Sequence, residues 1–325
     1  MLRAAAEPTR LRILALLTQG ELSVKDLTRI LNQSQPRISR HLKLLVEAGL
    51  VDRLRDGSWA YFQLVAHGDR GSLAHAVLGA IDPLDAILER DRVRAEMVKR
   101  EREVAAQEYF QANAPEWDRI RSLHIAEADV EAEVGRALGP GPFKLLVDLG
   151  TGTGRMLELL SGRYESAIGF DINHTMLAYA RSKLEQAHIG EASVRHGDLY
   201  EVSLPDRAAD AVVMHQVLHF LTEPTVAIQE AARILAPGGR LIIVDFAPHA
   251  MEFLRETFAH ERLGFSRPQM KQWLTEAGLD LAEERDLVPK TRSTEGKLTV
   301  SVWTAVQPAR AATGISGDIR KRVDA

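Results

Sequence analysis

The 325-residue chain contains no cysteine. Disulfides, thiolate metal sites and thiol nucleophiles are therefore excluded together. Long apolar runs are also missing: none approaches the roughly 18 residues that a membrane span requires, and the N-terminus lacks the charged, apolar and small-residue succession of a signal peptide. A cytoplasmic protein without membrane attachment is expected. Nor is there a large excess of either charge, since 41 Lys/Arg against 45 Asp/Glu leave a net −4. The distribution is uneven, however. Residues 1–65 hold ten Lys/Arg and six Asp/Glu, the remainder thirty-one and thirty-nine, so only the first segment suits a polyanion. The length exceeds what one hydrophobic core usually organises, which points to two domains and a connector.

In the first segment, apolar residues at helical spacing from Arg10 to Leu17 stop at Gly20. A second helix begins at Ser23, with Asp26 three residues on as capping-box partner and Val24, Leu27, Ile30 and Leu31 facing inward. A third starts near Ser34, buries Ile38, Leu42 and Leu45, and stops at Gly49. Two β-type runs follow, Leu50–Arg55 and Trp59–Leu64, around the hairpin signal Asp56-Gly57. Three helices and a β-ribbon make a winged helix-turn-helix, whose third helix enters the major groove while the wing follows the backbone. Gln35, Arg37, Ser39, Arg40, His41 and Lys43 on that helix, with Arg53 and Arg55 in the wing, supply the polar and cationic groups that base edges and phosphates of double-stranded DNA need.

The stretches Glu7–Leu14, Gln35–Leu45 and Ala48–Val51 resemble the ArsR/SmtB family of repressors over about residues 4–65. That resemblance implies binding to operator DNA as a homodimer, with Gln35, Ser39, Arg40 and His41 at the recognition helix. There are two departures from the family pattern. Cysteine-based metal sensing is impossible, and no metal site is expected. The chain also starts close to the Pro8-Thr9-Arg10 helix, so the usual N-terminal dimerisation helix is short or missing.

Asp82-Pro83 reads as a helix start. The charged stretch from Glu89 to Glu103, with both signs interleaved, then predicts one long exposed helix. It is expected either to be a solvated spacer or to pair the stripe Val77, Ile81, Leu84 and Leu88 with its twin in a dimer.

Lys144–Leu149 is an apolar run ending in Asp148-Leu149-Gly150-Thr151-Gly152-Thr153-Gly154, followed by Met156, Leu157, Leu159 and Leu160 at helical spacing. The pattern is a buried parallel strand, a glycine-rich turn that lets backbone approach a ligand, and a helix. A second strand, Ser166–Phe170, ends at Asp171, placed to accept from ribose hydroxyls. Val194–Asp198 closes a third, Ala209–Met214 is a fourth, and a turn at Ala236–Arg240 leads into Leu241–Phe246. Such alternation predicts a doubly wound α/β sheet with its ligand at the strand C-termini. Asp148 beside the turn would repel a pyrophosphate, which favours S-adenosylmethionine (SAM) over NAD.

The segments Val147–Gly154, Asp171, Gly197-Asp198 and Leu235–Arg240 resemble class I SAM-dependent methyltransferases across about residues 110–306. By that resemblance Asp148, Gly150, Thr151 and Gly152 sit against the methionine moiety, Asp171 and Ile172 at the ribose, and Asp198 and Leu199 at the adenine of SAM or S-adenosylhomocysteine (SAH). His215 is a further ligand contact and the candidate general base if methyl transfer occurs. His219 and His249, after strands four and five, are candidate substrate-pocket residues. Absence of cysteine argues against arsenite methylation. The missing Asn/Asp-Pro-Pro-aromatic tetrapeptide argues against adenine methylation in DNA. Asp245–His249 and Leu263–Ser266 are similar to a fusion group of ArsR-type regulators that control methionine and SAM-cycle genes in response to SAH.

The expected organisation is a winged helix-turn-helix over 1–67, a helical connector and dimerisation segment over 68–112, a Rossmann-like class I methyltransferase domain over 113–307, and a mobile tail over 308–325. The expected function is that of a ligand-responsive DNA-binding regulator. Its rival is an active methyltransferase of a small-molecule acceptor carrying a DNA-binding domain.

Overall fold

The computed structural model describes residues 2–56, 59–65, 74, 76–79, 85–122, 127–289 and 298–309. The wing tip at Gly57, the Arg55 side chain, Ile81–Leu84 and the tail from residue 310 lie outside them.

The N-terminal unit begins with a single turn, α1 (Leu2–Ala5), then α2 (Pro8–Leu16), a two-residue strand β1 (Leu22–Ser23), α3 (Val24–Leu31), α4 (Gln35–Glu47), and the ribbon β2 (Val51–Asp56) and β3 (Trp59–Leu64). The Ser23–Asp26 capping box is formed in both directions: Ser23 Oγ accepts from Asp26 N–H, and the Asp26 carboxylate accepts from Ser23 N–H at 2.9 Å. The order β1-β3-β2 gives a three-stranded antiparallel sheet, and Ile13, Leu14, Leu27, Ile30, Ile38, Leu42 and Leu45 are buried beneath it.

The connector is where the sequence expectation fails. Helix α5 (Ala86–Asn113) is continuous, with Asp85 as its cap accepting from the Ile87 and Leu88 N–H groups. It is not a solvated spacer. Leu88, Asp91 and Val98 are buried, and Val98 and Ala95 complete the hydrophobic core of the N-terminal unit, together with Ala74, Val77 and Leu78. Of the apolar stripe, Val77 and Leu88 pack within the chain, while Ile81 and Leu84 lie outside the described residues. Charged residues misled because one of them is a core group: Asp91, 1% exposed, receives two hydrogen bonds from the Arg12 guanidinium at 2.5 and 2.8 Å.

Helices α6 (Trp117–Ser122) and α7 (Glu127–Leu138) lead into the large domain. There β4 (Phe143–Leu149), α8 (Arg155–Leu159), β5 (Tyr164–Asp171), α9 (His174–Gln186), β6 (Ala192–His196), β7 (Ala209–His215), α10 (Pro224–Ile234), β8 (Leu235–Phe246), α11 (Phe253–Thr257), α12 (Arg267–Glu276), β9 (Asp280–Leu287) and β10 (Val300–Val306) follow. The sheet order is β6-β5-β4-β7-β8-β10-β9, with β10 antiparallel to both neighbours and the first five strands parallel. Alternate residues serve opposite faces. Ala211, Val213, Ile242 and Val244 pack under α7, α8 and α9, whereas Val212, Met214, Leu241 and Ile243 pack under α10 and α12. Strand β8 starts at Leu235, six residues before the expected Leu241, so Ala236–Arg240 is an irregular strand entry rather than a free turn. No helix among the described residues is long and apolar enough to cross a membrane.

Removing one partner of a buried, hydrogen-bonded ion pair leaves the other charge uncompensated. Arg12→Met should therefore destabilise the chain by about 3 kcal/mol in urea denaturation, and Arg12→Met/Asp91→Leu should recover most of that loss. A single variant as stable as the parent would show that Asp91 does not depend on Arg12.

Candidate functional site

The DNA-facing candidates lie mostly on one surface. Ile38, Leu42 and Leu45 anchor α4, and this leaves Gln35, Arg37, Ser39, Arg40 and Lys43 exposed, with Arg53 exposed on β2. Lys43 stands 3.8 Å from Glu47 on its own helix, a loose surface pair. His41 departs from this set. Its Nδ1 lies 3.4 Å from Glu7 at the start of α2, and burial lowers its pKa. Its side chain, 13% exposed, is the most buried of the set.

In the large domain the glycine-rich turn at the end of β4 forms the floor of the principal pocket. Gly150, Gly152 and Gly154 all have positive φ (78°, 51° and 77°), and each has its own reason. A Cβ on Gly150 would come within 2.4 Å of Val217, and one on Gly154 within 3.2 Å of Ala180, so both are required by packing. At Gly152 a Cβ would meet only Trp117, at 3.5 Å on the pocket wall, so this is the position at which the backbone is bared to a ligand. Gly152 N–H donates to Asp171 at 2.9 Å, and the other Asp171 oxygen accepts from Asn173 N–H at 2.8 Å. Burial raises the Asp171 pKa, and these two N–H groups act against that rise. Ile172, Asp198, Leu199 and His215 line the same pocket, so all the sequence-predicted ligand residues are brought together.

The sequence reading missed the opposite wall. Glu103, Gln107 and Phe110 from α5, and Trp117 from α6, close the pocket over the strand ends. Only their place in the fold reveals them, since a charged helix carries no signal for what it will cover.

The lining decides the ligand's charge. Four carboxylates, Glu103, Asp148, Asp171 and Asp198, face one guanidinium, Arg155, which is already engaged by Glu131 and Glu158. A pyrophosphate would find no counter-charge here. A nucleoside joined to an amino acid fits better: ribose hydroxyls can donate to Asp171, an ammonium suits the acidic lining near Asp148, and the buried Thr151 hydroxyl has no hydrogen-bond partner within the protein. The residues present therefore fit SAM or SAH.

The three histidines separate. His215 lines the principal pocket. His219, 2% exposed, lies behind it, with Nδ1 2.8 Å from Asp245. His249 lines neither cavity. It borders a surface hollow beside Asp286, and burial lowers its pKa to about 4. It thus stands apart from the residues that line the principal pocket. No group of His, Asp and Glu suited to a metal ion occurs among the described residues.

Comparison with known proteins gives two family matches. Residues 7–53 match the model described as bacterial regulatory protein, arsR family, and residues 147–243 that described as methyltransferase domain. The chain is 47% identical over 68 residues to an arsenical resistance operon repressor of Escherichia coli, covering 21% of this chain and 58% of that protein. It is 35% identical over 144 residues to a demethylmenaquinone methyltransferase of Thermus thermophilus, covering 43% of this chain and 64% of that protein. The chain thus spans about three fifths of the length of these curated relatives. Among solved structures, a chain from the complex of the Haloferax volcanii Trm112 methyltransferase activator with a methyltransferase shares the fold (TM-score 0.52, 21% identity, 61% of this chain and 97% of that one).

Asp171→Ala removes a charged acceptor and should weaken both SAM and SAH binding at least about tenfold in calorimetry. Gly152→Val, strained at positive φ and directed at the pocket, should do the same. Parental affinities in both variants would displace the ribose and methionine ends from this floor.

Proposed function

We propose that this chain, an arsR-family helix-turn-helix domain joined to a class I methyltransferase domain, is a cytoplasmic transcriptional regulator that binds operator DNA as a homodimer and takes SAH or SAM as effector. One observation carries this reading: α5 is shared by both functions. Its first half completes the core of the DNA-binding unit through Ala95 and Val98, and its second half walls the ligand pocket through Glu103, Gln107 and Phe110. A ligand that draws or displaces that wall acts on the element that packs against α2 and α3. Coupling then requires only that the ligand bind the DNA-competent and DNA-incompetent arrangements with different affinity.

In this reading Asp171 holds the ribose, Asp198 and Leu199 the adenine, and Asp148 with the Gly150–Gly152 backbone the amino-acid end. SAM supplies a transferable methyl group when bound, and SAH supplies none. SAH is the product of SAM-dependent methyl transfer, so a methyltransferase pocket already fits it, and its accumulation is worth sensing. Methionine and SAM-cycle genes are the targets that such a signal suits. Arg40 and Lys43 contact phosphates and Gln35 and Ser39 reach base edges, with Arg37 and the wing residues Arg53 and Arg55 along the backbone. The rival reading, methyl transfer to a small acceptor, is favoured by one feature, the buried His219–Asp245 pair next to the pocket.

Reciprocity provides the test. Operator DNA must change SAH affinity by the same factor by which SAH changes operator affinity, and a hundredfold effect corresponds to about 2.7 kcal/mol of coupling. Equal SAH binding with and without operator, together with turnover of SAM on an added acceptor, would transfer the assignment to the enzyme. In the same assays, Arg40→Ala/Lys43→Ala should weaken operator binding and lower the salt slope by about one for each lost phosphate contact. An unaltered slope would move the DNA face away from α4.

A further inference from the structure

A second cavity of about 30 Å³ adjoins the principal pocket, and Trp117, Gln216 and Phe220 line both. Its other walls are the rings of Tyr109, Phe246 and Phe258 and the aliphatic side chains of Ile120 and Leu254, with Tyr109 meeting Trp117 and Phe258 edge to face. Gln216, His219 and His260 bring polar groups to this box, the His260 ring lying 4.3 Å from that of His219. His219 is fixed by Asp245, whose carboxylate accepts from the ring at Nδ1 and from the His219 and Phe246 N–H groups. Nδ1 therefore carries the proton, and Nε2 is left as an acceptor. Gln216 is 5% exposed, its amide nitrogen is buried without a hydrogen-bond partner, and its backbone lies at φ 51°. An orphaned amide and a left-handed backbone at one non-glycine residue are two costs that packing alone does not recover.

The geometry points to a second ligand site, one that takes the hydroxyl of a small uncharged phenol, with Gln216 donating to the oxygen and His219 Nε2 accepting its proton. A space of this size admits about two water-sized groups. The hydroxyl and its carbon therefore enter the cavity, while the ring lies across the Trp117–Phe220 partition toward the principal pocket. The rings on the walls suit an aromatic edge or face.

The floor of the cavity continues into the DNA-binding unit. His260 lines it, and the next two residues both donate backbone N–H bonds to His219 C=O, at 2.8 and 3.0 Å. Glu261 then accepts from Tyr61 of β3 and from Arg102, while Arg262, 3% exposed, pairs with Glu21 at 2.6 Å and lies 3.9 Å over the Tyr61 ring. Occupancy of the cavity is thereby read by the winged unit, a consequence that rests on the regulator reading, whereas the site itself does not.

The test uses the full chain with SAH present and phenol as probe, against benzene and anisole, followed by ligand-observed NMR titration and tryptophan fluorescence. Phenol should bind saturably and about tenfold more tightly than either control, the fold-change of one neutral hydrogen bond. Gln216→Leu breaks no existing bond. It should leave melting temperature unchanged or higher and erase the preference for phenol, measured at SAH concentrations that saturate each protein. Equal binding of the three probes, no saturable binding, or an unaltered preference in Gln216→Leu would overturn the site. If that variant fails to fold, the comparison of phenol with anisole in the parent chain decides, since only phenol can donate to His219. Selective phenol binding that leaves operator affinity unchanged upholds the site and overturns its reading by the winged unit.

Discussion

Three segments that are distant in sequence meet at one guanidinium. Arg102, on α5, donates to Asp26 of the DNA-binding unit and to Glu261 of the large domain at 2.8 Å. Asp26, 2% exposed at its side chain, is also the capping-box residue of α3, so the group that starts the second helix of the helix-turn-helix is tied to the ligand domain. Burial raises the Glu261 pKa, and Arg102 and Arg262 act against it. Ion pairs of this kind contribute little net stability, because desolvation offsets attraction. What they supply is geometry: each charge, once buried, tolerates only the arrangement in which its partners are present. The relative placement of recognition helix, connector and pocket follows from that constraint.

The pocket is the second place where charge decides. Its lining is acidic, while α4 and β2 expose cations. The two surfaces of one chain thus differ in sign. Glu103 links the two units, since its carboxylate lines the pocket from the helix that completes the N-terminal core, and burial with Asp198 nearby raises its pKa.

Local rules made much of this legible. The Ser23–Asp26 cap, the buried face of α4, the strand–glycine–helix turn and the acidic end of β5 each depend on residues close in sequence, and each appears in the fold as expected. The failures share a different cause. Asp91, Glu103 and Arg102 look like solvated charges on a polar helix, and only tertiary packing turns one into a core ion pair, one into a pocket wall and one into a bridge. His41 has the right spacing for DNA contact, yet its side chain is largely buried beside Glu7, thirty-four residues earlier. Asp245, which fixes His219, reads as the last polar residue of a buried strand. Strand β10 is an ordinary apolar run whose antiparallel insertion between β8 and β9 no local pattern encodes.

Val98 and Ala95 complete the hydrophobic core of the N-terminal unit although they lie some thirty residues beyond its wing. The border drawn by motif and the border drawn by packing therefore do not coincide. A chain divided at the motif border would leave the N-terminal unit with a hole in its interior and the other piece with the buried face of a charged helix laid bare.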